Sequence, residues 1–297
     1  MKQYQGKTAV ITGAASGFGL EVARIAAARG MNLVLCDVQA DALEKVAEEF
    51  AAYPLLTQLV DVSKAEQMDA LAAAVKSRFG VPNFVFNNAG VGSGGLIWEN
   101  SLTDWEWVLG VNLMGVVHGI RLFTPMMLEA AAADPDFEGH IVNTASMAGM
   151  LNAPNMGVYN VSKHAVVALS ETLFQDLALV TEQLHCSVLC PFFVPTGISQ
   201  SHRNRPGELS SGRVTRSQMI SQAMSDKAVS SGRVSAAQVA AMLFEAMDEE
   251  RFYIFSHPQA LASVQTRMED VMQLRNPTDP FKDKPELGAK LRAALKG

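Results

Sequence analysis

A tyrosine and a lysine four residues apart, Tyr159 and Lys163, follow a serine at Ser146. A phenol with an ordinary pKa of about 10 is ionised in only about one molecule in a thousand at neutral pH, so it is a poor base. Residues four apart share one face of a helix, and a lysine ammonium there can lower the pKa of the phenol. The spacing favours proton transfer at Tyr159; the alternative is an ordinary pair on a helix surface.

A glycine-rich turn lies between a predicted strand at residues 8–12 and a predicted helix at residues 17–29. Such a turn lets the backbone approach phosphate oxygens closely, and the N-terminus of the helix offers unpaired N–H groups to a pyrophosphate. The position between strand and helix favours a dinucleotide site over a tight turn without a ligand. The residues assigned to it are Gly13, Ser16, Gly17, Phe18 and Gly19.

Asp37 ends the second predicted strand, where its carboxylate can accept hydrogen bonds from the ribose hydroxyls of an adenosine. A 2′-phosphate at this place would meet a like charge, and neither Ser16 nor Val38 supplies a compensating cation. The sequence therefore predicts NAD(H) as the cofactor, with NADP(H) less favoured. The alternative is that Asp37 only caps the next helix.

Asp61 and Val62 end the third predicted strand in the same way, and both are assigned to the cofactor site. The Asp61 carboxylate can bond the adenine amino group of a dinucleotide. It can equally cap the next helix together with Ser63, which is a common use of aspartate. Both interpretations stay open from the sequence.

Apolar strand-like runs alternate with segments of helical periodicity along most of the chain. Strands that are apolar throughout are typical of a parallel sheet with helices on both faces, and right-handed crossovers make such a sheet doubly wound. We therefore predict one α/β Rossmann domain over residues 1–297, with about seven mostly parallel strands. A long helical stretch from Leu102 to Ala133 is expected to break or bend near Gly110.

Two segments depart from this alternation. Residues 197–233 are rich in Ser, Arg, Gln and Gly, and we expect a long loop there with one or two short helices. A loop of that length inside a domain is usually functional or mobile. Residues 257–297 form a C-terminal extension, in which a proline-rich arm at residues 276–285 is predicted to be extended and to precede a short terminal helix.

The composition argues against several classes of function. The net charge of −6 gives no reason to expect a nucleic-acid partner. The three cysteines lie in predicted strands as buried thiols, and neither they nor the six histidines have metal-ligand spacing, so we expect no catalytic metal. We find no charged-then-apolar leader and no apolar run long enough to span a bilayer. These observations predict a cytoplasmic protein without a membrane partner.

The motifs TGxxxGxG, NNAG, a serine, YxxxK and Pro-x-x-Val-Pro-Thr follow one another in this order. Over about residues 5–256 the chain resembles the short-chain dehydrogenase/reductase family. The resemblance implies that Tyr159 is the general acid/base and that Ser146 orients the substrate oxygen. Lys163 would lower the pKa of Tyr159 together with the positive charge of the oxidised nicotinamide, and would also bind the nicotinamide ribose.

Asn112 would complete the catalytic tetrad of this family. Asparagine is a poor residue for a helix interior, yet Asn112 lies in an apolar helical run after Gly110. Its amide can bend the helix and hold a water. In the family, that water links to the lysine in a proton relay.

The resemblance also assigns to the cofactor six residues that follow the fourth and sixth strands: Asn88, Ala89, Gly90, Pro191, Val194 and Thr196. The first three would shape the adenosine pocket, and Val194 and Thr196 match positions where the family contacts the nicotinamide carboxamide. The family usually has a glycine directly after this proline, whereas the chain has Phe192. We therefore expect a changed backbone beside the nicotinamide, with Phe192 or Phe193 over the substrate.

These features predict an oxidoreductase that transfers a hydride between NAD(H) and a secondary alcohol or ketone. An NADP(H)-dependent ketoreductase is an alternative. A non-catalytic NAD-binding sensor on the same fold should lack part of the tetrad, and all four positions are present. A nucleotide-sugar epimerase or dehydratase also uses YxxxK, but with a different glycine spacing and a larger C-terminal domain.

The segment 197–233 corresponds to the substrate lid of the family and carries six basic residues against two acidic ones. This excess predicts an anionic or polar-tailed substrate, or else a solvated loop that balances an acidic surface. Three methionines near the site, Met147, Met150 and Met156, predict an adaptable apolar pocket or simply core packing.

Members of the family usually form dimers or tetramers through the helix that carries YxxxK and the long helix before it. In this chain the YxxxK helix has apolar residues on more than one face, which suits burial against a partner. They are Val166, Val167, Leu169, Leu173, Phe174 and Leu177. We therefore expect a homodimer or homotetramer.

Overall fold

Seven strands form one sheet within residues 1–210 and 212–296, which are the residues that the computed structural model describes. Residue 211, inside the predicted lid, and residue 297, at the end of the predicted extension, lie outside the described part. The strands are β1 Thr8–Thr12, β2 Asn32–Asp37, β3 Leu55–Leu59, β4 Phe84–Asn87, β5 Gly139–Thr144, β6 Leu184–Cys190 and β7 Tyr253–Phe255. The sheet order is β3-β2-β1-β4-β5-β6-β7, and every pairing is parallel.

Helices cover both faces of this sheet, which confirms the predicted doubly wound Rossmann fold. They are α1 Gly17–Ala28, α2 Ala40–Glu49, α3 Ala65–Phe79, α4 Leu102–Leu109, α5 Gly115–Ala133, α6 Gly157–Val180, α7 Arg216–Ser230, α8 Ala236–Asp248, α9 Leu261–Met272 and α10 Pro285–Lys296. Side chains alternate between the faces of a strand, so Ile11 packs in a cluster with α1 and α8, whereas Val10 packs in a cluster with α3 and α5. The strand order reverses between β1 and β4, which is where such folds form a binding crevice.

The predicted bend near Gly110 is a π-helical turn at Gly110–Met114, between α4 and α5. Asn112 is fully buried in this turn. Its side chain accepts a hydrogen bond from the Val91 N–H (2.8 Å) and donates to the Val91 carbonyl (3.0 Å) and to the Ser162 hydroxyl (3.1 Å). The amide therefore ties this helix to the loop after β4 and to α6.

The expectation that no helix could span a bilayer is wrong on length and composition alone. The helical stretch Leu102–Ala133, with 32 residues, is long and apolar enough to do so. Half of its most apolar window is buried inside the fold, and Phe123 and Met127 are fully buried in the cluster with α3. Core packing accounts for this apolar character, because a buried helix is apolar on more than one face.

The segment 197–233 is more helical than predicted. It contains 3-10 turns at Gly197–Asn204 and Gly207–Leu209, and then the 15-residue helix α7. Thr215 and Gln218 form a reciprocal capping box at the start of α7. The pattern Thr-x-x-Gln is a known signal for a helix N-terminus, and it could have located this helix from the sequence.

The C-terminal extension folds back onto the lid. After α9, the proline-rich arm is held by the buried Asp270, which accepts hydrogen bonds from the Thr278 N–H (2.8 Å) and from the Arg275 Nε (3.0 Å). The chain then turns through Asp279 to Lys284 and enters α10, which packs against α7. The predicted terminal helix is present, has 12 residues and makes a tertiary contact with the lid.

Candidate active site

A cavity of about 970 Å³ opens at the carboxyl ends of the central strands, between the lid and the sheet. Most of the residues that the sequence assigned to a site line this one cavity. The exceptions are Gly19 and Asn112, which lie behind its wall. The sites predicted for a cofactor and for proton transfer are therefore one continuous space.

The glycine-rich turn leaves room at the N-terminus of α1. A Cβ atom on Gly13 would lie 2.9 Å from the Ala89 Cα, and one on Gly19 would lie 2.1 Å from the Gly13 carbonyl oxygen, so both positions require glycine. Ser16 precedes α1 without a side-chain capping bond. The first N–H groups of this helix are thus free of side-chain caps, which fits the pyrophosphate of a dinucleotide.

Asp37 is held at the end of β2 by backbone groups. Its two carboxylate oxygens accept hydrogen bonds from the Ala15 N–H and the Gln39 N–H, each at 3.0 Å. Gln39, and not Asp37, is the N-cap residue of α2, so the helix-capping alternative does not describe this contact. The Asp37 Oδ1 also accepts a long hydrogen bond from the Gln39 Nε2 (3.5 Å), whereas the Oδ2 keeps a second lone pair that fits a ribose hydroxyl.

The sequence did not identify Arg203 as a neighbour of this corner. The side chain is exposed on the lid and lines the cavity, and its Nε donates to the Gln39 Oε1 at 3.0 Å. Gln39 adjoins Asp37 through its backbone N–H. A cation therefore lies beside the position where a 2′-phosphate would sit. No local sequence signal links two residues so far apart in the chain.

Asp61 serves the turn before α3 and also lines the cavity. One carboxylate oxygen accepts hydrogen bonds from the Ser63 N–H (2.9 Å) and from the Ser63 hydroxyl (2.7 Å). Lys64 is the N-cap residue of α3, so the contact stabilises the preceding turn rather than the helix end. The geometry leaves the second oxygen for an adenine amino group, which is compatible with this contact to the turn.

Tyr159 and Lys163 lie on α6 and face Ser146 at the end of β5 across the cavity wall. Lys163 is buried, and its Nζ donates to the Thr144 carbonyl at 2.9 Å. The same Nζ lies 5.7 Å from the centre of the Tyr159 ring. The Ser146 hydroxyl donates to the Pro191 carbonyl at 3.4 Å. A phenol, a hydroxyl and an ammonium thus share one wall.

In the protein alone the pKa of Tyr159 is raised, whereas the expected lowering includes the charge of the oxidised nicotinamide. Burial raises the pKa of this phenol, and the neighbouring Ser146 hydroxyl only partly opposes that shift. Burial also lowers the pKa of Lys163 to about 8, against a small opposing effect of Cys190. The ammonium is bonded to the Thr144 carbonyl rather than to the phenol, so desolvation dominates at both groups.

Asn112 lies outside the cavity lining and contacts α6 from behind the cavity wall. Both N–H bonds of its amide are used, so its side chain braces α6 through Ser162 rather than donating to a water. The Ser162 hydroxyl in turn donates to the Tyr159 carbonyl at 2.8 Å. Ser162 is a supporting residue that the sequence reasoning missed, although it stands beside Lys163 within the YxxxK motif.

The loop after β6 forms the end of the cavity nearest to Ser146. The Pro191 carbonyl accepts a hydrogen bond from the Met147 N–H (2.9 Å), and the Phe192 N–H donates to the Ser256 hydroxyl (3.0 Å). The Phe192 ring contacts the Phe193 ring with a centroid separation of 4.5 Å, and both residues line the cavity. Ser256 therefore supports the backbone where the family usually has glycine.

A buried ion pair fastens the lid to α4. The Arg205 Nη1 donates to the Asp104 Oδ1 at 2.5 Å, and its guanidinium lies 5.2 Å from the centre of the Trp107 ring. Asp104 also accepts hydrogen bonds from Ser101 and Gln218. Burial disfavours the Asp104 carboxylate, but hydrogen bonds from Arg205 and Ser101 outweigh that effect and hold its pKa below the ordinary value.

Arg205→Met is expected to lower the free energy of unfolding by about 2 kcal/mol, less than for a fully buried pair because the Arg205 side chain remains 17% exposed. A depressed carboxyl pKa means that the pair stabilises the fold above the unfolded pKa of about 3.9, and that this contribution is lost as the pH falls below it. Urea unfolding at neutral and acid pH measures both effects. The exposed Arg213→Met is the control, and equal losses in the two variants would contradict the ion pair's role.

The chain matches the short chain dehydrogenase family model over residues 7–207. It is 49% identical to a short chain dehydrogenase/reductase from Burkholderia phymatum, solved in complex with NAD; the match covers 94% of this chain and 99% of that one, with a TM-score of 0.91. It is also 30% identical over 277 residues to a CLA biosynthesis dehydrogenase/reductase from Lactiplantibacillus plantarum, covering 92% of this chain and 95% of the relative.

A C alpha-dehydrogenase from Sphingobium sp. is 29% identical over 296 residues, covering 98% of this chain and 92% of the relative. The family model and these relatives agree with the doubly wound sheet and with the motifs at the carboxyl ends of its strands. The chain belongs to the short-chain dehydrogenase/reductase family and is an oxidoreductase of that family.

Proposed function

We propose that the protein is an NAD(H)-dependent oxidoreductase of secondary alcohols and ketones, with Tyr159 as the general acid/base. The observation that carries this proposal is the single cavity lined by Tyr159, Ser146 and Lys163 together with the glycine-rich turn. A tetrad that meets a dinucleotide-shaped crevice argues against a non-catalytic sensor. NAD(H), when bound, supplies or accepts the hydride.

The protein's own groups handle the proton. In ketone reduction, the Tyr159 hydroxyl donates its proton to the carbonyl oxygen, and in alcohol oxidation the phenolate takes the proton from the hydroxyl. Ser146 can hold the same oxygen by a hydrogen bond. Lys163 uses one N–H bond on the Thr144 carbonyl, and the donors that remain can bind a ribose hydroxyl.

The cofactor preference rests on Asp37. The free N-terminus of α1 and the glycine turn would hold the pyrophosphate, and the Asp37 carboxylate would hold the adenosine ribose. The relative from Burkholderia phymatum was solved with NAD, which supports the same preference here. Arg203 beside Gln39 favours the alternative, an NADP(H)-dependent ketoreductase.

Oligomeric state and cellular location stay predictions. Four of the six apolar residues on α6 that suggested a subunit interface are buried inside the chain itself: Val166, Val167, Leu173 and Leu177. The apolar residues that α6 exposes are Val161, Phe174, Leu179 and Val180, so a homodimer or homotetramer through this helix would use those. We also propose a cytoplasmic location for the protein.

An NADH-absorbance screen of ketones and secondary alcohols tests the proposed function, with Tyr159→Phe protein as the blank. The wild type should consume NADH with at least one ketone, and the blank should not. The absence of any absorbance change across a broad panel in both directions would refute the proposal.

The direction of the Tyr159 shift predicts how the two reactions depend on pH. Alcohol oxidation needs the phenolate, and burial raises the pKa of Tyr159, so kcat/KM for oxidation should rise by up to tenfold per pH unit between about pH 6 and about pH 9. Ketone reduction needs the protonated phenol, which is present below that pKa, and its kcat/KM should stay nearly level from about pH 6 to about pH 7, where Lys163, whose pKa burial lowers to about 8, is still protonated. Initial rates in both directions measure the profiles; an oxidation profile that is flat from about pH 6 contradicts the raised pKa.

A further inference from the structure

The C-terminal arm reaches the cavity that contains the catalytic residues. Pro280 and Phe281 line the same space as Tyr159 and Ser146. These two arm residues lie beyond the region that the family model matches, which ends at residue 207. The wall that they form therefore lies outside the part of the chain that the family model matches.

Hydrogen bonds and packing hold the arm in place as part of the cavity wall. The Phe281 N–H donates to the Asp279 Oδ1 at 2.9 Å, and the Phe281 carbonyl accepts from the Lys284 N–H at 2.9 Å. A Cβ atom on Gly288 would lie 3.0 Å from the Phe281 Cβ, so α10 closely approaches this side chain. The Asp270 contacts fix the other end of the arm, and together they hold Phe281 at the cavity.

Part of the wall of this cavity is apolar. Residues from the lid, from the loop after β6 and from the loop before α6 contribute large hydrophobic side chains to the cavity: Leu151, Phe192, Phe193, Val214, Met219 and Met224. Several of these side chains, including Met219 and Phe192, are exposed to solvent. An apolar substituent that covers them would remove apolar surface from water, which favours binding.

Only part of the lid's positive charge reaches the cavity lining within the described residues. Of its six basic residues, Arg203 and Arg205 are those that line the cavity within the described residues. Arg205 is neutralised by Asp104, and Arg203 is bonded to Gln39 at the adenosine corner. A substrate carboxylate would therefore find Arg205 already paired with Asp104, whereas the charge of Arg203 lies at the adenosine corner beside the neutral Gln39, so an uncharged substrate is favoured over an anionic one.

We propose that the substrate is an uncharged secondary alcohol or ketone with an extended apolar substituent, and that Phe281 selects for that substituent. This inference rests on the proposed function, since it concerns the substrate of the same site. The reacting oxygen lies at Tyr159 and Ser146, and the alkyl or aryl tail extends along Met219 and Met224 towards Phe281. Phe281 is a specificity-determining residue, and it takes no part in the proton transfer.

A homologous series of methyl ketones, from 2-butanone to 2-decanone, tests this inference with NADH and the full-length chain. Phe281→Ala should lower kcat/KM for 2-decanone about tenfold and change that for 2-butanone by less than about twofold, because only the long tail reaches the ring. Phe281→Leu, which keeps an apolar contact with α10, should lose about threefold with 2-decanone and serves if the alanine variant folds poorly. Leu287→Ala, on α10 and outside the cavity lining, is the matched control.

Equal losses for short and long ketones, or a wild type without preference for chain length, would overturn the inference. A second measurement separates it from the proposed function. In the presence of NAD, 2-decanone should raise the Tm of the wild type, and the Phe281 variants should lose most of that shift. If no ketone is turned over, the proposed function fails, and the Tm shift still tests the role of Phe281. An identical Tm shift in the wild type and in the Phe281 variants, or no Tm shift in the wild type, overturns that role.

Discussion

Tyr159→Phe is expected to reduce kcat for ketone reduction and for alcohol oxidation by about 1,000-fold, within the range of about 100-fold to 10,000-fold that a positioned acid/base provides. The substitution removes only the phenolic hydroxyl. The ring stays on α6, where Ser162 and the buried Lys163 hold the surrounding turn. The fold and the cofactor groove should therefore be preserved while the proton transfer is lost.

The measurement is steady-state NADH consumption with a ketone that the wild type reduces, together with an NADH titration by fluorescence. The dissociation constant for NADH should change by less than about threefold, because phenylalanine keeps the shape of the site. Tyr253→Phe is the control, since its hydroxyl donates to Glu171 at the protein surface. A Tyr159→Phe enzyme that keeps kcat within about tenfold of the wild type would remove Tyr159 from the mechanism.

The sheet and the glycine turn were predictable because local sequence determines them. Continuous apolar runs such as Ala9–Ile11 are buried on both faces, and this pattern occurs in parallel sheets. The turn at Gly13 requires glycine for reasons that act within a few residues or on the neighbouring strand. The bend at Gly110 was also visible, as a polar Asn112 inside an apolar helix.

The contacts that define the substrate end were not predictable in this way. Arg205 meets Asp104 across 101 residues of sequence. The helix α10, which follows Phe281, packs against α7 of the lid although the two helices lie far apart in the chain, so no local window contains both partners of either contact. The lid's charge excess could be counted from the sequence, but its consequence for the substrate could not be read from the count. Its consequence depends on which side chains are paired, and Arg205 is paired with a buried carboxylate.

The pKa of Tyr159 illustrates the same limit. The i, i+4 spacing predicted that Lys163 would lower it, and that spacing does put both residues on one helix. The three-dimensional surroundings add desolvation, which raises the pKa of the phenol and lowers that of the lysine to about 8. Burial is a tertiary property, so the sequence indicated the partners but not the direction of the shift.

The second large effect expected is on the choice of cofactor. The wild type should prefer NADH over NADPH by at least about 100-fold in kcat/KM, because a 2′-phosphate beside the buried Asp37 carboxylate costs about 3 kcal/mol or more. Asp37→Asn keeps the size of the side chain and removes the charge. Its kcat/KM with NADPH should rise about tenfold to 100-fold, whereas that with NADH should fall because a carboxylate–ribose hydrogen bond is weakened.

Arg203 is expected to determine how much kcat/KM with NADPH can rise in the Asp37→Asn variant. Its guanidinium, bonded to Gln39, is the cation nearest to that corner among the lid residues that line the cavity, and it can pair with a 2′-phosphate once the Asp37 charge is gone. Adding Arg203→Met to Asp37→Asn should therefore remove most of the gain with NADPH and leave kcat/KM with NADH nearly unchanged. Steady-state kinetics with NADH and with NADPH on the wild type, the two single variants and the double variant measure the coupling between Asp37 and Arg203. A wild type that already prefers NADPH would show instead that Arg203 outweighs Asp37, and the assignment of NAD(H) would be wrong.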